Sequence, residues 1–142
     1  MITAALVAAG ARVLAVELHP QRIRQLQRRF DGLETVTVLA LDLLAFRLPS
    51  RPFRVVANPP WSLAKPVIRI LTAPGSNLQA ADLLLQRRLV ADVVARGAPG
   101  SGRRHFSCHQ IGTVPRAAFQ PPPPHAAGVL RIAAERRRTH RG

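Results

Sequence analysis

The sequence predicts an α/β fold: a mostly parallel sheet with helices on both faces and an antiparallel hairpin at one edge. Three observations predict it. Short β-branched runs alternate with helical stretches, and three of those runs end on a polar residue, Glu17, Asp42 and Asn58. The last two runs are joined by a Pro-rich loop instead of a helix. The 142 residues suit one domain, and a hydrophobic content of 47% is enough for a core.

Residues 3–9 read as the tail of an Ala-rich helix closed by Gly10, and residues 11–16 (ARVLAV) as a strand ending at Glu17. Pro20 suits the first helical position. Ile23, Leu26 and Phe30 then recur at i, i+3 and i+7, predicting an amphipathic helix that ends near Asp31-Gly32. Residues 35–41 (TVTVLAL) form a strand ended by Asp42, and residues 53–57 (FRVVA) another ended by Asn58. Ser62 is placed to cap a helix with Pro66 in its first turn and Leu63, Val67, Ile70 and Leu71 on its apolar face. Residues 80–86 (AADLLLQ) read as a buried strand. Leu89, Val90, Val93 and Val94 then make a helical stripe that stops at Gly97. A Gly/Pro/Arg loop over 97–104 leads to strands at 105–111 and 128–133, set around a Pro-rich turn at 120–124. Residues 135–142 are a basic tail.

Charge and composition exclude several classes. Lys and Arg number 21 against 7 Asp and Glu, for a net charge of +14. Residues 1–60 hold 8 cations and 4 acids, net +4, whereas residues 61–142 hold 13 and 3, net +10. All the cations but Lys65 are Arg, a bias that GC-rich coding also produces. The asymmetry points to a nucleic-acid partner. No apolar run approaches the ~18 residues of a membrane span. The segment MITAALVAAGAR has no basic stretch ahead of its apolar one, so no secretory signal is expected. The lone Cys108 excludes a disulfide scaffold and a Cys-based zinc site and reads as a small core residue. His19, His105, His109, His125 and His140 show no metal-ligand spacing. A cytoplasmic protein without metal is expected.

In such sheets ligands bind beyond the carboxyl ends of the strands. An acid there, as at Glu17, accepts hydrogen bonds from ribose hydroxyls, and Asp42 one strand later can accept from an exocyclic adenine amine. Asn58-Pro59-Pro60-Trp61 carries the most specific chemistry. A ring-conjugated amino nitrogen is a poor nucleophile. The Asn58 side-chain oxygen and the Pro59 carbonyl can hold both of its N–H groups and favour a more tetrahedral nitrogen. Pro59 and Pro60 stiffen the loop. Trp61 offers a face for an unstacked base, worth ~1–3 kcal/mol.

Asn-Pro-Pro-aromatic after a strand resembles motif IV of S-adenosylmethionine-dependent amino-methyltransferases, a group that includes DNA adenine, protein glutamine and RNA methylases. The wider stretches GARVLAVELHP, RPFRVVANPPW, AADLLLQRRLV and PRAAFQPPPP resemble the ribosomal RNA adenine N6-methyltransferases, most of all the short erythromycin-resistance methylases acting on 23S rRNA. The resemblance runs from Ile2 to about Ala133. It implies a class I S-adenosylmethionine-dependent methyltransferase (Rossmann-like) sheet with an antiparallel edge hairpin, spanning residues 1–134. S-adenosyl-L-methionine would be the methyl donor, 23S rRNA the partner, the enzyme a monomer, and macrolide-type resistance the role. Carried over by motif, Glu17 binds the cofactor ribose and Asp42 sits by its adenine. Asn58, which also belongs to the cofactor site, holds the target N6 with Pro59. Pro60 and Trp61 complete the motif, Trp61 stacking on the target base. Phe119, of the Phe-x-Pro-x-Pro segment, flanks the base.

The departures set further expectations. The family's first strand and its G-x-G-x-G cofactor loop fall before Met1, so the domain is expected to lack its first, central strand and to leave two strands with open edges. His125 and Ala127 stand where the family alternates Val and Ser. Longer members carry a helical RNA-binding domain, where this chain has Arg136-Arg137-Arg138. The alternatives are a catalytically inactive truncated RNA-binding fragment, or an amino-methyltransferase of DNA adenine or protein glutamine.

Overall fold

The computed structural model describes residues 2–99 and 106–135. The expectations for 100–105 (most of the Gly/Pro/Arg loop, with His105) and for the tail at 136–142 lie outside the described residues. The chain forms two compact units, Met1–Arg47 and Leu48–Gly142.

The smaller unit runs α1 (Ile2–Ala8), β1 (Val13–Glu17), α2 (Pro20–Arg29) and β2 (Val36–Ala40). Gly10, at φ 83°, closes α1 as the sequence predicts. Its N–H donates to the Val7 carbonyl at 2.9 Å and the Ala11 N–H to the Leu6 carbonyl at 3.1 Å, a Schellman pair that satisfies carbonyls the helix leaves over. β1 and β2 pair in parallel, Val13 opposite Val36 through Glu17 opposite Ala40. Val13 and Ala15 alternate toward a small core with Leu26 of α2 and Phe30, which caps that helix. Ala4, Leu6 and Val7 of α1 pack against the same cluster. Both helices therefore serve one face, and Leu14 on the other is 51% exposed.

The larger unit runs β3 (Phe53–Ala57), a 3-10 turn (Trp61–Leu63), α3 (Ala64–Leu71), β4 (Leu78–Gln86), α4 (Arg87–Arg96), β5 (Phe106–Val114) and β6 (Ala127–Ala134). Its sheet has the order β3-β4-β6-β5. β3 and β4 are parallel, while β6 runs antiparallel to both β4 and β5, so two of the three pairings are antiparallel. The hairpin expected at the edge is present, with its second strand inserted between the first and the parallel pair. Leu83 faces Leu130, and Ala81 faces Ile132, all fully buried. α4 lies over this face, with Val90 against Gly128. On the reverse face Val56 is 42% exposed, and Arg131 grips both carboxylate oxygens of Asp82 at 2.7 and 2.8 Å.

Three local expectations shift. Ser62 does not cap α3: it lies inside the 3-10 turn, and the helix begins at Ala64 with no side-chain cap. That later start turns Ala64, Val67, Ile68 and Leu71 inward, so Ile68 is buried where Ile70 was expected. Val94 is 42% exposed, leaving Val90 and Val93 as the buried residues of α4. Among the described residues β1 pairs only with β2 and β3 only with β4, so each has one edge without a strand partner.

Candidate active site

In the smaller unit Glu17 and Asp42 lie beyond the carboxyl ends of two adjacent parallel strands, at the same end of the sheet. Glu17 Oε1 accepts the N–H groups of Leu18 and His19, both at 3.0 Å, and Oε2 faces the Arg22 guanidinium at 4.0 Å. The carboxylate is therefore oriented by its own loop, with its side chain 24% exposed. Asp42 Oδ1 accepts the Leu44 N–H at 2.9 Å and so caps a short 3-10 turn, Leu43–Ala45. Each acid has one oxygen held by backbone N–H groups, and the other oxygen of Glu17 lies beside Arg22. Two acceptors oriented in this way suit a ligand that offers ribose hydroxyls and an amine.

In the larger unit Asn58 leaves the end of β3. It is exposed, and its amide makes no hydrogen bond among the described residues. Pro59 beneath it is buried and Pro60 is exposed. The Pro60 carbonyl accepts the Leu63 N–H at 2.9 Å, which winds Trp61–Leu63 into its turn. Asn58 is thus a polar group presented from a proline-stiffened corner, the opposite of a side chain held in a core. Trp61 is half-buried.

Phe119 follows a second 3-10 turn, Arg116–Ala118, and is half-buried. Arg116 Nε donates to the Pro123 carbonyl at 2.9 Å and ties the Pro-rich loop across its base. Trp61 heads a groove of about 640 Å³ between α3 and α4, lined also by Lys65, Arg69, Gln86, Arg88 and Leu89. Neither Asn58 nor Phe119 lines it. A second depression, of about 400 Å³, shares Gln86 and Arg88 with the first and reaches His125.

Cys108 is half-buried on β5. Burial pushes its thiol pKa up, opposed by the Ala98 backbone. The expected core position is met only in part, since Cys108 is half-buried on the edge strand and outside the buried core. Among the described residues no group of His, Cys, Asp and Glu is placed to hold a metal ion, and no helix is long and apolar enough to cross a membrane.

The basic lining of the Trp61 groove is what sequence reasoning missed. The signal for one wall was present, since Trp61, Lys65 and Arg69 recur at i, i+4 and i+8. The other wall depends on which helix packs alongside.

No family model matches the chain. It is 31% identical over 144 residues to a ribosomal RNA small subunit methyltransferase A of Synechococcus sp. (strain JA-3-3Ab), a match covering 92% of this chain and 51% of that protein. It is 36% identical over 141 residues to the mycinamicin-resistance protein MyrB of Micromonospora griseorubida, covering 92% of this chain and 42% of MyrB. The chain thus spans about half the length of the curated relatives it matches. Among solved structures, the 23S rRNA methyltransferase ErmE superposes with a TM-score of 0.75 at 18% identity, over 87% of this chain and 52% of ErmE. A dimethyladenosine transferase from Plasmodium falciparum gives 0.68 at 18% identity, over 87% and 48%. The structural likenesses show the fold, an α/β class I methyltransferase sheet, and over nine-tenths of its length the chain is similar in sequence to ribosomal RNA methyltransferases and to a mycinamicin-resistance protein.

Proposed function

We propose that the chain acts as an S-adenosylmethionine-dependent ribosomal RNA adenine N6-methyltransferase, with 23S rRNA as substrate and macrolide-type resistance as its role. Residues 1–134 form the methyltransferase domain and 135–142 a basic tail, and the protein works as a cytoplasmic monomer. One observation carries the reading. Asn58-Pro59-Pro60-Trp61 ends a strand with a free, exposed amide on a stiff corner and an aromatic face one turn away.

When bound, the cofactor would supply an electrophilic methyl group. Glu17 would accept from its ribose hydroxyls and Asp42 from its adenine amine. The Asn58 side-chain oxygen and the Pro59 carbonyl accept the two N–H groups of the target N6, which localises the nitrogen lone pair for attack. Trp61 and Phe119 hold the unstacked base, so catalysis rests on positioning and on polar contacts made in advance.

The test is methyl incorporation into 23S rRNA, 16S rRNA, DNA and protein. Wild type should label 23S rRNA, and Asn58→Ala should lose about 10²–10³-fold of that rate, the scale of one preorganised polar contact. Because Asn58 is exposed, stability should stay within ~0.5 kcal/mol. Undiminished labelling by Asn58→Ala would refute its role, and labelling of DNA or protein alone would refute the substrate. The relatives named for small-subunit rRNA methylation favour one second reading, in which 16S rRNA is the labelled arm.

A further inference from the structure

The outer face of α2 carries charge that the fold does not use. Gln21, Arg24, Gln25 and Arg28 recur at i, i+3, i+4 and i+7, so they share one side of the helix, and all four are exposed. Leu26 and the capping Phe30 lie on the other side, in the core with Val13 and Ala15. Residues 1–60 contain 8 cations and 4 acids, and α2 holds four of those cations and none of the acids. Arg22 faces Glu17 at 4.0 Å, and Arg29 lies over the Phe30 ring at 5.8 Å. Arg24 and Arg28 have no carboxylate partner among the described residues.

This arrangement works against the helix itself. Arg24 and Arg28 stand four residues apart, the spacing at which like charges destabilise a helix about as much as opposite ones stabilise it. No acid meets the positive end of the dipole in the first turn. GC-rich coding accounts for Arg in place of Lys, but not for the absence of Asp and Glu. An anion from outside the chain relieves both defects, and the side chains between the cations indicate its class. The face has no aromatic ring, so it offers an unstacked base nothing to lie on. Gln21 and Gln25 offer amide donors and acceptors, which match a 2′-hydroxyl, itself donor and acceptor. Phosphates with 2′-hydroxyls between them are the surface of an RNA duplex. A lipid bilayer would need the apolar side of the helix, and that side is in the core.

We propose that Gln21, Arg24, Gln25 and Arg28 form a docking face for duplex RNA, with Arg24 and Arg28 on phosphates and the two glutamines on the 2′-hydroxyls between them. α2 crosses between two parallel strands and so runs back from the end where Glu17 and Asp42 lie. Arg28 is about 9 Å further along that axis than Arg22, the neighbour of Glu17. A stem held there leaves the strand-end opening of the smaller unit clear. The inference rests on the RNA methyltransferase reading for the kind of RNA, and it adds a second contact, to paired nucleotides away from the target base.

The experiment titrates the full chain with a fluorescein-labelled RNA duplex of about 16 base pairs, the length that one duplex-reading module spans, at several salt concentrations. Each phosphate contact on a double helix contributes about −0.9 to the slope of log K against log salt, so R24Q/R28Q should flatten it by about 1.8. Extrapolated from 1 M, that amounts to about 60-fold weaker binding at 0.1 M salt. Gln is close to Arg as a helix former, so this variant keeps its helix. R24K/R28K, which retains the charges, should restore the wild-type slope. R47Q/R51Q removes two charges at exposed positions outside α2 and should leave the slope unchanged. Q21A/Q25A should keep the slope and abolish the wild type's preference for the RNA duplex over a DNA duplex of the same sequence.

An unchanged slope in R24Q/R28Q would overturn the proposal. So would equal flattening in R47Q/R51Q, wild-type affinity for the DNA duplex equal to that for RNA, or equal competition by polyglutamate or by phosphatidylserine vesicles. Methylation is scored separately, as KM and kcat for rRNA. If duplex binding behaves as expected and no rRNA is methylated, the enzymatic reading fails and the docking face stands. If R24Q/R28Q methylates rRNA with an unchanged KM, the enzymatic reading stands and the docking face falls.

Discussion

Replacing Leu83 with Ala should remove a large share of the larger unit's stability. Leu83 is fully buried on β4, between Ala57 of β3 and Leu130 of β6. The substitution deletes three carbons, each worth about 0.8 kcal/mol of transfer free energy, or about 2.4 kcal/mol together. The sheet is held by partners on both sides, so collapse around the site is restricted. A partly open cavity adds ~1–2 kcal/mol, for a total of about 4 kcal/mol. A domain has only about 5–15 kcal/mol in all. The assay is urea unfolding followed by fluorescence, for which Trp61 is the sole tryptophan and lies in this unit. With a slope of about 1.5 kcal/mol per molar urea, the midpoint should fall by roughly 2–3 M. Leu84, on the opposite face of the same strand and half-buried, is the internal control, and its Ala variant should cost about half as much. If Leu83→Ala costs under about 1 kcal/mol, or no more than Leu84→Ala, the assigned face of β4 is wrong.

Other outcomes follow from particular contacts. Gly10→Ala places a side chain at φ 83° in the Schellman turn and should cost about 1 kcal/mol by thermal melting. Gly128→Ala should be tolerated within ~0.5 kcal/mol, because its new methyl would meet Val90 at 3.5 Å, an ordinary contact. Glu17→Gln keeps a carbonyl for the Leu18 and His19 N–H groups but replaces the Oε2 acceptor beside Arg22 with an NH2 donor. Calorimetry with S-adenosylmethionine should show about 10-fold weaker binding at unchanged melting temperature, and unchanged affinity would refute the ribose role. Cys108, whose thiol is raised above its ordinary 9.0 by burial, should react with iodoacetamide at pH 8 more slowly in the folded chain than in urea. The folded thiol keeps its proton where the unfolded one loses it. Its contribution to stability is therefore whole below pH 9.0 and declines as pH rises through the folded value.

What the sequence disclosed was local. Strand ends at Glu17, Asp42 and Asn58 are legible because a polar residue closing an apolar run needs no knowledge of the rest of the chain. The proline corner before Trp61 is legible for the same reason. The phase of α3 was not, because it depends on where the helix begins. A 3-10 turn over Trp61–Leu63 delays that start to Ala64, which exchanges Ile70 for Ile68 in the core. The insertion of β6 between β4 and β5 was hidden too, since a hairpin announces its pairing and not the side on which it joins a sheet. Lys65 and Arg69 gain meaning only when α4 brings Arg88 across from them.

The open edges of β1 and β3 bear on how this chain behaves as a colloid. Among the described residues each lacks a strand partner on one side, and such an edge is the template on which another copy can add a strand. Opposing that short-range attraction is the long-range repulsion of +14 charges. In dilute buffer the repulsion extends ~30 Å at 0.01 M salt and keeps copies apart. At 1 M it reaches only ~3 Å, less than one strand spacing, and the edges meet unopposed. Salt, which quiets most proteins of ordinary charge, should make this one precipitate, and light scattering across that range would record the crossover.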